Sequence, residues 1–348
     1  MSRKRVAVIF GGRSSEHEVS IVSARSVMAA FDATAYEVVP FGIGKSGGWL
    51  GPEATAAALG AGAVAFDGGT RLLESGTLLA ALARCDIAFP LIHGTYGEDG
   101  TLQGFLEMAG LPYTGCGVAA SAIGMDKALM KALFRDAGIP VAPYGVVRRC
   151  DLEQEPEDAF RSVAAATDYP CFVKPANGGS SVGVTKVRSS EDLAAALQVA
   201  FATDDKAIVE RAVTGQEVEC SVLGNERPEV SICGEVVPDR EFYDYDSKYS
   251  PESTTALHIP ARISPATAEA VREMALRMYT AMGCEGYARV DFFVAGERVI
   301  ANEVNTIPGF TSISMYPKLW AASGLPYTEL LTRIIEFGFA RHAGRAQK

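Results

Sequence analysis

The segment "YARVDFFVAGERVIANEVNTIPG", Tyr287–Gly309, constrains the fold of this chain more than any other segment. Two runs of β-branched and aromatic residues flank the sequence "AGE", which predicts a β-hairpin. Four polar residues interrupt these runs: Arg289, Asp291, Glu303 and Asn305. An ordinary antiparallel hairpin exposes one polar face to water, so this face is either solvated or holds its carboxylates for a chemical purpose.

Successive side chains of a strand point to opposite faces, and this alternation divides the hairpin. The apolar face is predicted to hold Val290, Phe292 and Val294 of the first strand and Ile300 and Val304 of the second. If residues 295–297 form a three-residue loop, Arg289 lies opposite Glu303 and Asp291 opposite Ala301. Asp291 and Glu303 are then diagonal neighbours, roughly 7–8 Å apart at the backbone and able to share an ion. Two carboxylates and an asparagine without a lysine suit a hard cation such as Mg²⁺.

The composition bounds the class of protein. At 348 residues the chain has room for about two or three domains. Hydrophobic residues make up 48% and charged residues 21%, as in soluble globular proteins. The net charge of −10, without a basic block, argues against nucleic acid as a partner. The sequence has no apolar run of membrane-spanning length and no signal-peptide core after "MSRKR". Its seven scattered cysteines form no CxxC motif, which favours reduced thiols in a cytoplasm.

The order of the motifs predicts three domains. In residues 1–124, the strands "RVAVIF", "YEVVPFGI" and "CDIAFPLIHG" alternate with glycine loops and helices, which predicts a parallel sheet with ligands at the carboxyl ends of its strands. Residues 125–216 carry an amphipathic helix, several strands and the loop "NGGSSVGV", and residues 217–348 carry an irregular aromatic segment and the hairpin. Residues 45–69 are interpreted as a surface insertion, and His342 as part of a loose basic tail.

The loop in "VKPANGGSSVGV" is a candidate phosphate-binding loop. Glycines and hydroxyls leave backbone N–H groups free to face phosphate oxygens, and Lys174 supplies a positive charge just upstream. It is not a Walker A loop, because no GK[ST] ends it and a strand follows it. A mobile surface hairpin is the alternative. Together with the carboxylate hairpin, however, the loop predicts a nucleotide site.

The other polar motifs are weaker when each is taken alone. Glu210 and Glu217 in "VERAVTGQE" could bind an adenine amino group or ribose hydroxyls, or could lie in a solvated turn. His93 ends an apolar strand, where a hydrogen-bonded structural histidine is the alternative to a functional one. "GGRSSE" is not GxGxxG, which disfavours a nicotinamide or flavin enzyme, but it places Glu16 at a helix start.

Taken in order, the motifs "MDK", "VKP…GGSSVGV", "VERAVTGQE", "ARVDFF" and "NEVNTIPG" resemble the ATP-grasp superfamily. With "GGRSSEHEVS", "HGTYGEDGTLQGFLEMAGLPYTG", "FYDYDSKY" and "NTIPGFTSIS", the chain resembles the D-alanine–D-alanine ligase family over nearly its whole length. The resemblance implies an α/β (α+β) chain with an ATP-grasp fold behind an N-terminal Rossmann-like domain. It also implies ATP-dependent joining of two D-alanines through a D-alanyl phosphate, for peptidoglycan precursor synthesis in the cytoplasm, by a homodimer.

The resemblance also implies a role for each candidate site residue. The nucleotide contacts would be Lys127, Lys174, Ser181, Glu210 and Glu217, and two Mg²⁺ ions (or Mn²⁺) would be held by Asp291, Glu303 and Asn305. The catalytic set would be Glu16, Ser180, Tyr249, Arg289 and the backbone of Gly309. The second substrate's carboxylate would be received by Lys248, Ser314 and the Met315 backbone, with His93 nearby.

Two alternatives stay open within this interpretation. A ligase that joins D-alanine to D-serine or D-lactate shares the same motifs, and Tyr249 with Lys248 favours D-alanine as the second substrate. Met315 stands where such enzymes commonly carry leucine, which leaves the size of the second subsite open. A non-catalytic nucleotide-binding module is the alternative from another class. Arg289 together with three oxygen ligands argues against it.

Overall fold

The computed structural model describes residues 3–238, 255–311 and 313–346 of the protein. The first sheet is built from β1 (Lys4–Gly11), β2 (Tyr36–Ile43), β3 (Trp49–Leu50) and β4 (Ile87–Pro90). The helices of this region are α1 (His17–Ala30), α2 (Pro52–Gly60), α3 (Gly76–Ala83), α4 (Thr101–Met108) and α5 (Val118–Met125). The strand order is β3-β2-β1-β4, and β1 is parallel to both β2 and β4. The carboxyl ends of β1 and β4 therefore open at one edge, as predicted.

The second sheet is antiparallel and carries the glycine–serine loop. Its strands are β5 (Tyr144–Arg148), β6 (Cys171–Pro175), β7 (Thr185–Val187) and β8 (Lys206–Arg211), in the order β5-β8-β6-β7. The helices around it are α6 (Lys127–Asp136), α7 (Arg149–Gln154), α8 (Pro156–Ala166) and α9 (Leu193–Phe201). The glycine–serine loop joins β6 to β7, so it lies at one end of this sheet.

The third sheet contains the hairpin. It is built from β9 (Gln216–Leu223), β10 (Glu229–Val230), β11 (Gly234–Val237), β12 (Ala256–His258), β13 (Tyr287–Ala295) and β14 (Arg298–Asn305). The order is β12-β11-β9-β13-β14, with β10 paired to β9. Its helices are α10 (Pro265–Ala281), α11 (Met315–Ala322) and α12 (Tyr327–Ala346). Because β13 lies between β9 and β14, its polar residues have neighbours on both sides.

The helices among the described residues include none long and apolar enough to cross a membrane.

The first and third sheets share one hydrophobic core. Phe89 of β4 stacks on Tyr287 of β13 at 6.3 Å between ring centroids, and Phe310 packs edge-on against both rings. Helix α12 packs in the same core, where Arg341 is 7% exposed and donates to the backbone oxygens of Tyr113 and Gly115. The predicted loose tail is therefore wrong. The shared core fixes the edge of the first sheet relative to the hairpin.

Residues 45–69 are also more integrated than a surface insertion. They contain β3 and α2, and Phe66 is 2% exposed, with its ring packed against Phe10 at 5.7 Å. The backbone N–H of Phe66 donates to Nε2 of His17 at 3.0 Å. This segment thereby holds the start of α1 in place.

The boundaries of the three domains predicted from the sequence stay predictions.

Candidate active site

The hairpin has a different register from the predicted one. Ala295 pairs with Arg298, which leaves a two-residue loop, and a β-bulge between Asp291 and Phe292 adds Asn302 as an extra residue on β14. Asp291 therefore lies directly opposite Glu303, and Arg289 lies opposite Asn305 rather than Glu303. Because a bulge shifts the alternation by one residue, Val304 shares the core face with Ala301 and Val299, and Ile300 does not. The bulge brings the two carboxylates closer together than the diagonal placement.

Three carboxylates form a row across the third sheet. Glu219 of β9, Asp291 of β13 and Glu303 of β14 occupy directly paired positions on neighbouring antiparallel strands. Arg289 donates to both oxygens of Asp291, at 2.7 Å from Nε and from Nη2, and its Nε lies 3.0 Å from Oε2 of Glu219. Burial alone would lower the pKa of Arg289, but the carboxylates of Asp291 and Glu219 outweigh it and raise that pKa. The arginine is charged and held between two acids.

The predicted metal ligands lie together and have suitable atoms. Asp291 faces Glu303, and Nδ2 of Asn305 donates to Oδ2 of Asp291 at 2.9 Å. Carboxylate and amide oxygens are the ligands that Mg²⁺ prefers. Within the described part of the chain, His, Cys, Asp and Glu residues form no ready-made group of three for a metal. The residues fit a divalent cation by type and position, provided that Asp291 turns from Arg289 to the ion.

The predicted nucleotide residues come from the second and third sheets and from helix α6. Lys127, at the start of α6, donates to the carbonyl of Gly178 at 2.7 Å, and its Nζ lies 3.9 Å from Oε2 of Glu303. It therefore joins the glycine–serine loop to the carboxylate row. Lys174, the second-last residue of β6, donates to Glu210 at 2.8 Å. Glu217 of β9 pairs with Phe293 of β13 and lies two residues from Glu219.

A buried lysine, Lys131, forms an ion pair with Glu210. Lys131 is 1% exposed, its Nζ lies 2.5 Å from Oε1 of Glu210, and it donates to the carbonyl of the bulge residue Asn302 at 3.2 Å. Burial would raise the pKa of Glu210, but Lys131 and Lys174 outweigh it and lower that pKa to about 2. One ammonium group thus ties the carboxylate of the second sheet to the bulge of the third.

Glu16 and the glycine–serine loop meet across the site. Glu16 precedes α1, is 7% exposed, and accepts a hydrogen bond from the hydroxyl of Ser180. A Cβ atom on Gly179 would lie 2.5 Å from Oε2 of Glu16, so any larger residue there would displace the Glu16 carboxylate. Ser180 and Ser181 adopt positive φ values of 46° and 61°, which are rare for residues with side chains and often mark functional loops. The N-terminal sheet therefore contributes an acid to the loop that is the phosphate candidate.

The segment that leads to Gly309 is held from both sides at Ile307. The backbone N–H of Ile307 donates to Glu98 at 2.9 Å, and its carbonyl accepts from Nδ1 of His93 at 2.9 Å. Nε2 of His93 therefore accepts from the hydroxyl of Ser23 at 2.9 Å. Burial lowers the pKa of His93, so the ring is neutral, and burial with the nearby charge of Glu16 raises the pKa of Glu98 to about 8. These contacts give His93 a structural role; its predicted place near the second substrate stays a prediction.

The remaining predicted residues lie at the start of α11. The hydroxyl oxygen of Ser314, the residue before this helix, accepts from the backbone N–H of Thr311 at 3.0 Å and lies beside Gly309. The Met315 side chain is 5% exposed and packs with Val236 and Leu319, which leaves its backbone at the helix N-terminus. Lys248 and Tyr249 lie outside the described residues.

Known family models match most of the chain. A model of the "D-ala D-ala ligase N-terminus" matches residues 5–116, and a model of the "D-ala D-ala ligase C-terminus" matches residues 133–336. The chain belongs to the D-alanine–D-alanine ligase family. The ligase of Ruminiclostridium cellulolyticum is 46% identical over 98% of this chain and 97% of that protein. D-alanine–D-alanine ligase A of Escherichia coli K12 is 45% identical over 99% and 98%.

Solved structures from this ligase family match the whole fold. The D-alanine–D-alanine ligase of Coxiella burnetii superposes with a TM-score of 0.83 at 34% identity, covering 100% of this chain and 97% of that one. The VanG D-Ala:D-Ser ligase of Enterococcus faecalis gives the same TM-score and identity, with 97% and 100% covered. The predicted ATP-grasp fold is thereby confirmed. Members of the ligase family use ATP and generally need a divalent metal.

Three residues of this D-alanine–D-alanine ligase family member belong to the site but were missed by the sequence reasoning. Glu219 lies two residues after Glu217, so the alternation of β9 places both on one face. Lys131 lies four residues after Lys127, one helical turn further along α6. Glu98 follows the carboxyl end of β4, where α/β sheets bind ligands. Each signal was present in the sequence, but none distinguishes a site residue from an ordinary surface charge.

Proposed function

We propose that this protein uses ATP to join two D-alanine molecules into D-alanyl-D-alanine, a precursor of peptidoglycan. The observation that carries the proposal is the meeting of Glu16, the glycine–serine loop and the carboxylate row in one place, in a chain similar to such ligases from end to end. No single sheet contains all three parts. Their convergence suits a reaction that brings an amino acid to a triphosphate.

The nucleotide would lie between the second and third sheets. Lys127, Lys174 and Ser181 would contact phosphates and adenine, and Glu210 and Glu217 would accept hydrogen bonds from adenine and ribose. Two Mg²⁺ ions would be held by Asp291, Glu303 and Asn305. Such ions neutralise charge on the phosphates, which otherwise repel an attacking carboxylate. The proposal is supported by the link from Lys127 to both Gly178 and Glu303.

The first half-reaction activates one D-alanine. Its carboxylate oxygen forms a bond to the γ-phosphorus as the bond to ADP breaks, which gives D-alanyl phosphate and ADP. Glu16, oriented by Ser180 at the start of α1, would bind the ammonium group and so place the carboxylate toward the phosphates. Positioning of this kind converts a bimolecular encounter into a local one and supplies a large share of the acceleration.

The second half-reaction forms the peptide bond. The amine of the second D-alanine, after losing a proton, attacks the acyl carbon, and the tetrahedral adduct expels inorganic phosphate. Arg289 and the backbone N–H of Gly309 would stabilise the oxyanion. Ser314, the Met315 backbone and Lys248 would receive the second carboxylate. Tyr249 would connect to Ser180 and Glu16, close over the intermediate and exclude water.

A ligase that uses D-serine as the second substrate is the alternative that an observation favours, because the D-Ala:D-Ser ligase of Enterococcus faecalis superposes as well as the ligase of Coxiella burnetii. The test supplies ATP, Mg²⁺ and D-alanine together with equal D-serine or D-lactate. Mass spectrometry of the products should show D-alanyl-D-alanine in excess. A dominant mixed product would move the proposal to the alternative, and no product at all would favour a non-catalytic nucleotide-binding module.

We also propose that the enzyme works as a cytoplasmic homodimer without nucleic-acid or membrane partners. All seven cysteines are free, which suits a reducing compartment, and the net charge is −10. The proposal of a dimer rests on the family resemblance. Light scattering on the purified protein should give twice the 36.8 kDa of the chain, and a monomer at assay concentration would contradict it.

A further inference from the structure

Arg289 lies between two carboxylates that belong to different strands. Its guanidinium group forms a bidentate pair with Asp291 at 2.7 Å on both bonds, and Oε2 of Glu219 lies 3.0 Å from the same Nε. The side chain of Arg289 is 19% exposed, and the side chains of both acids are 11% exposed. Because Glu219 and Asp291 are paired across β9 and β13, both acids reach the arginine from fixed backbone positions.

This arrangement creates a competition at Asp291. The carboxylate that would hold the cation already accepts two hydrogen bonds from Arg289 and a third from Asn305. A cation that binds Asp291 must therefore displace the guanidinium group, at least in part. A mostly buried guanidinium left without an acid is strongly unfavourable. A second carboxylate beside the guanidinium group would offset this cost, and Oε2 of Glu219 lies 3.0 Å from Nε of Arg289.

We propose that Glu219 is a positioning residue that holds Arg289 when Asp291 turns to the divalent cation. The inference rests on the proposed function of the site, since it assumes that Asp291 binds the cation. With Glu219 present, Arg289 keeps a charged partner and stays over the reaction centre. Without it, Arg289 pairs with Asp291 alone, so the cation binds less tightly and the guanidinium is misplaced when it does bind.

Three variants separate this role from a simple charge effect. Glu219→Gln removes the charge. Glu219→Asp keeps the charge but shortens the side chain by about 1.5 Å, which takes the carboxylate out of ion-pairing distance of Arg289. Glu235→Gln is the matched control, because Glu235 is a buried acid on the neighbouring strand β11 whose carboxylate pairs with a different arginine, Arg262, at 2.8 Å.

The experiment measures Mn²⁺ binding in the presence of ADP. The electron paramagnetic resonance signal of free Mn²⁺ reports the binding, so no turnover is needed. We expect the half-saturating Mn²⁺ concentration to rise roughly tenfold in both Glu219 variants, because Arg289 then stays on Asp291, and to stay unchanged in Glu235→Gln. Recovery of normal binding in Glu219→Asp would show that charge alone matters and would overturn the proposal.

A second background tests whether Glu219 acts through Arg289. In Arg289→Ala the competition at Asp291 is absent, so adding Glu219→Gln should leave Mn²⁺ binding unchanged. An equal loss in both backgrounds would refute the inference. Circular dichroism checks that each variant is folded, and if Glu219→Gln is not, Glu219→Asp decides the outcome. Lower thermal stability with normal Mn²⁺ binding would show a merely structural role.

The outcome is distinguishable from failure of the proposed function. If the wild-type protein forms no D-alanyl-D-alanine, the proposed function fails whatever the Mn²⁺ titrations show. If the wild-type protein is active but the Glu219 variants bind Mn²⁺ normally, only the inference about Glu219 fails.

Discussion

The substitution Lys131→Met probes the charge network behind the nucleotide site. Lys131 is 1% exposed and Glu210 is 2% exposed, with 2.5 Å between their charged atoms. Methionine fills a similar volume, so the change removes the ammonium group and little of the packing. Breaking a buried ion pair from one side costs about 3–5 kcal/mol. Because Lys174 still contacts Glu210 at 2.8 Å, we expect a loss near the lower limit, about 3 kcal/mol of unfolding free energy.

The pKa of Glu210 reflects both lysines together, offset by burial. It is lowered from 4.5 to about 2, and a shift of this extent corresponds to about 3 kcal/mol. Since the folded pKa is depressed, this stability is present above pH 4.5 and is lost as the pH falls toward 2. The penalty of Lys131→Met should therefore be largest near neutral pH. It should shrink in acid, where Glu210 of the variant takes up a proton.

Denaturant unfolding followed by circular dichroism measures the effect, and a double-mutant cycle assigns it. In the Glu210→Gln background, Lys131→Met should cost only about 1 kcal/mol, the value of the hydrogen bond to Asn302. Arg161→Met, which breaks an exposed pair with Asp158, is the control and should cost less than about 1 kcal/mol. An equal penalty for Lys131→Met in both backgrounds would refute the reasoning, because Lys131 would then not act through the charge of Glu210.

Three further substitutions test other parts of the site. Glu303→Gln should abolish phosphate release while the circular dichroism spectrum stays native; full activity would rule out the metal assignment. Gly179→Ala places a Cβ atom 2.5 Å from Glu16, so the KM for D-alanine should rise several-fold with little loss of stability, whereas Gly178→Ala, whose nearest contact is Pro175 at 3.2 Å, should change KM less. Glu98 has a pKa raised to about 8, so its protonated form stabilises the fold at low pH and wild-type stability should decline from about pH 5 to pH 8. Glu98→Gln should remove that decline, and an unchanged pH profile would show that Glu98 does not cause it.

Much of the fold could be predicted from local patterns. The strands β1, β2 and β4 are apolar runs that precede glycine turns, and such runs predict a parallel sheet because few other structures bury them on both faces. The hairpin was also predicted, but its register was not. A bulge at Asn302 depends on contacts from elsewhere, namely Lys131 and the carbonyl of Pro140, which accepts from Ala301 at 2.8 Å. The alternation of apolar and polar residues within the hairpin therefore cannot reveal these contacts.

The long-range packing was the least predictable part. The residues after Phe339 are polar enough to suggest a loose tail, yet Arg341 is buried because two backbone oxygens in the N-terminal region accept its hydrogen bonds. Likewise, Glu219 and Asp291 are 72 residues apart in number, and only the order of the strands brings them to one arginine. Contacts of this kind depend on topology, which the motifs indicate only through the family resemblance.

The most direct test of the central claim follows oxygen from D-alanine to phosphate. The purified protein is given ATP, Mg²⁺ and D-alanine labelled with ¹⁸O in its carboxylate, and the released phosphate is analysed by mass spectrometry. If the carboxylate attacks the γ-phosphorus and phosphate later leaves the acyl carbon, each phosphate released with a dipeptide carries one ¹⁸O atom. L-alanine should release no phosphate. Unlabelled phosphate would show that water attacks ATP, and equal release with L-alanine would contradict the account at its substrate.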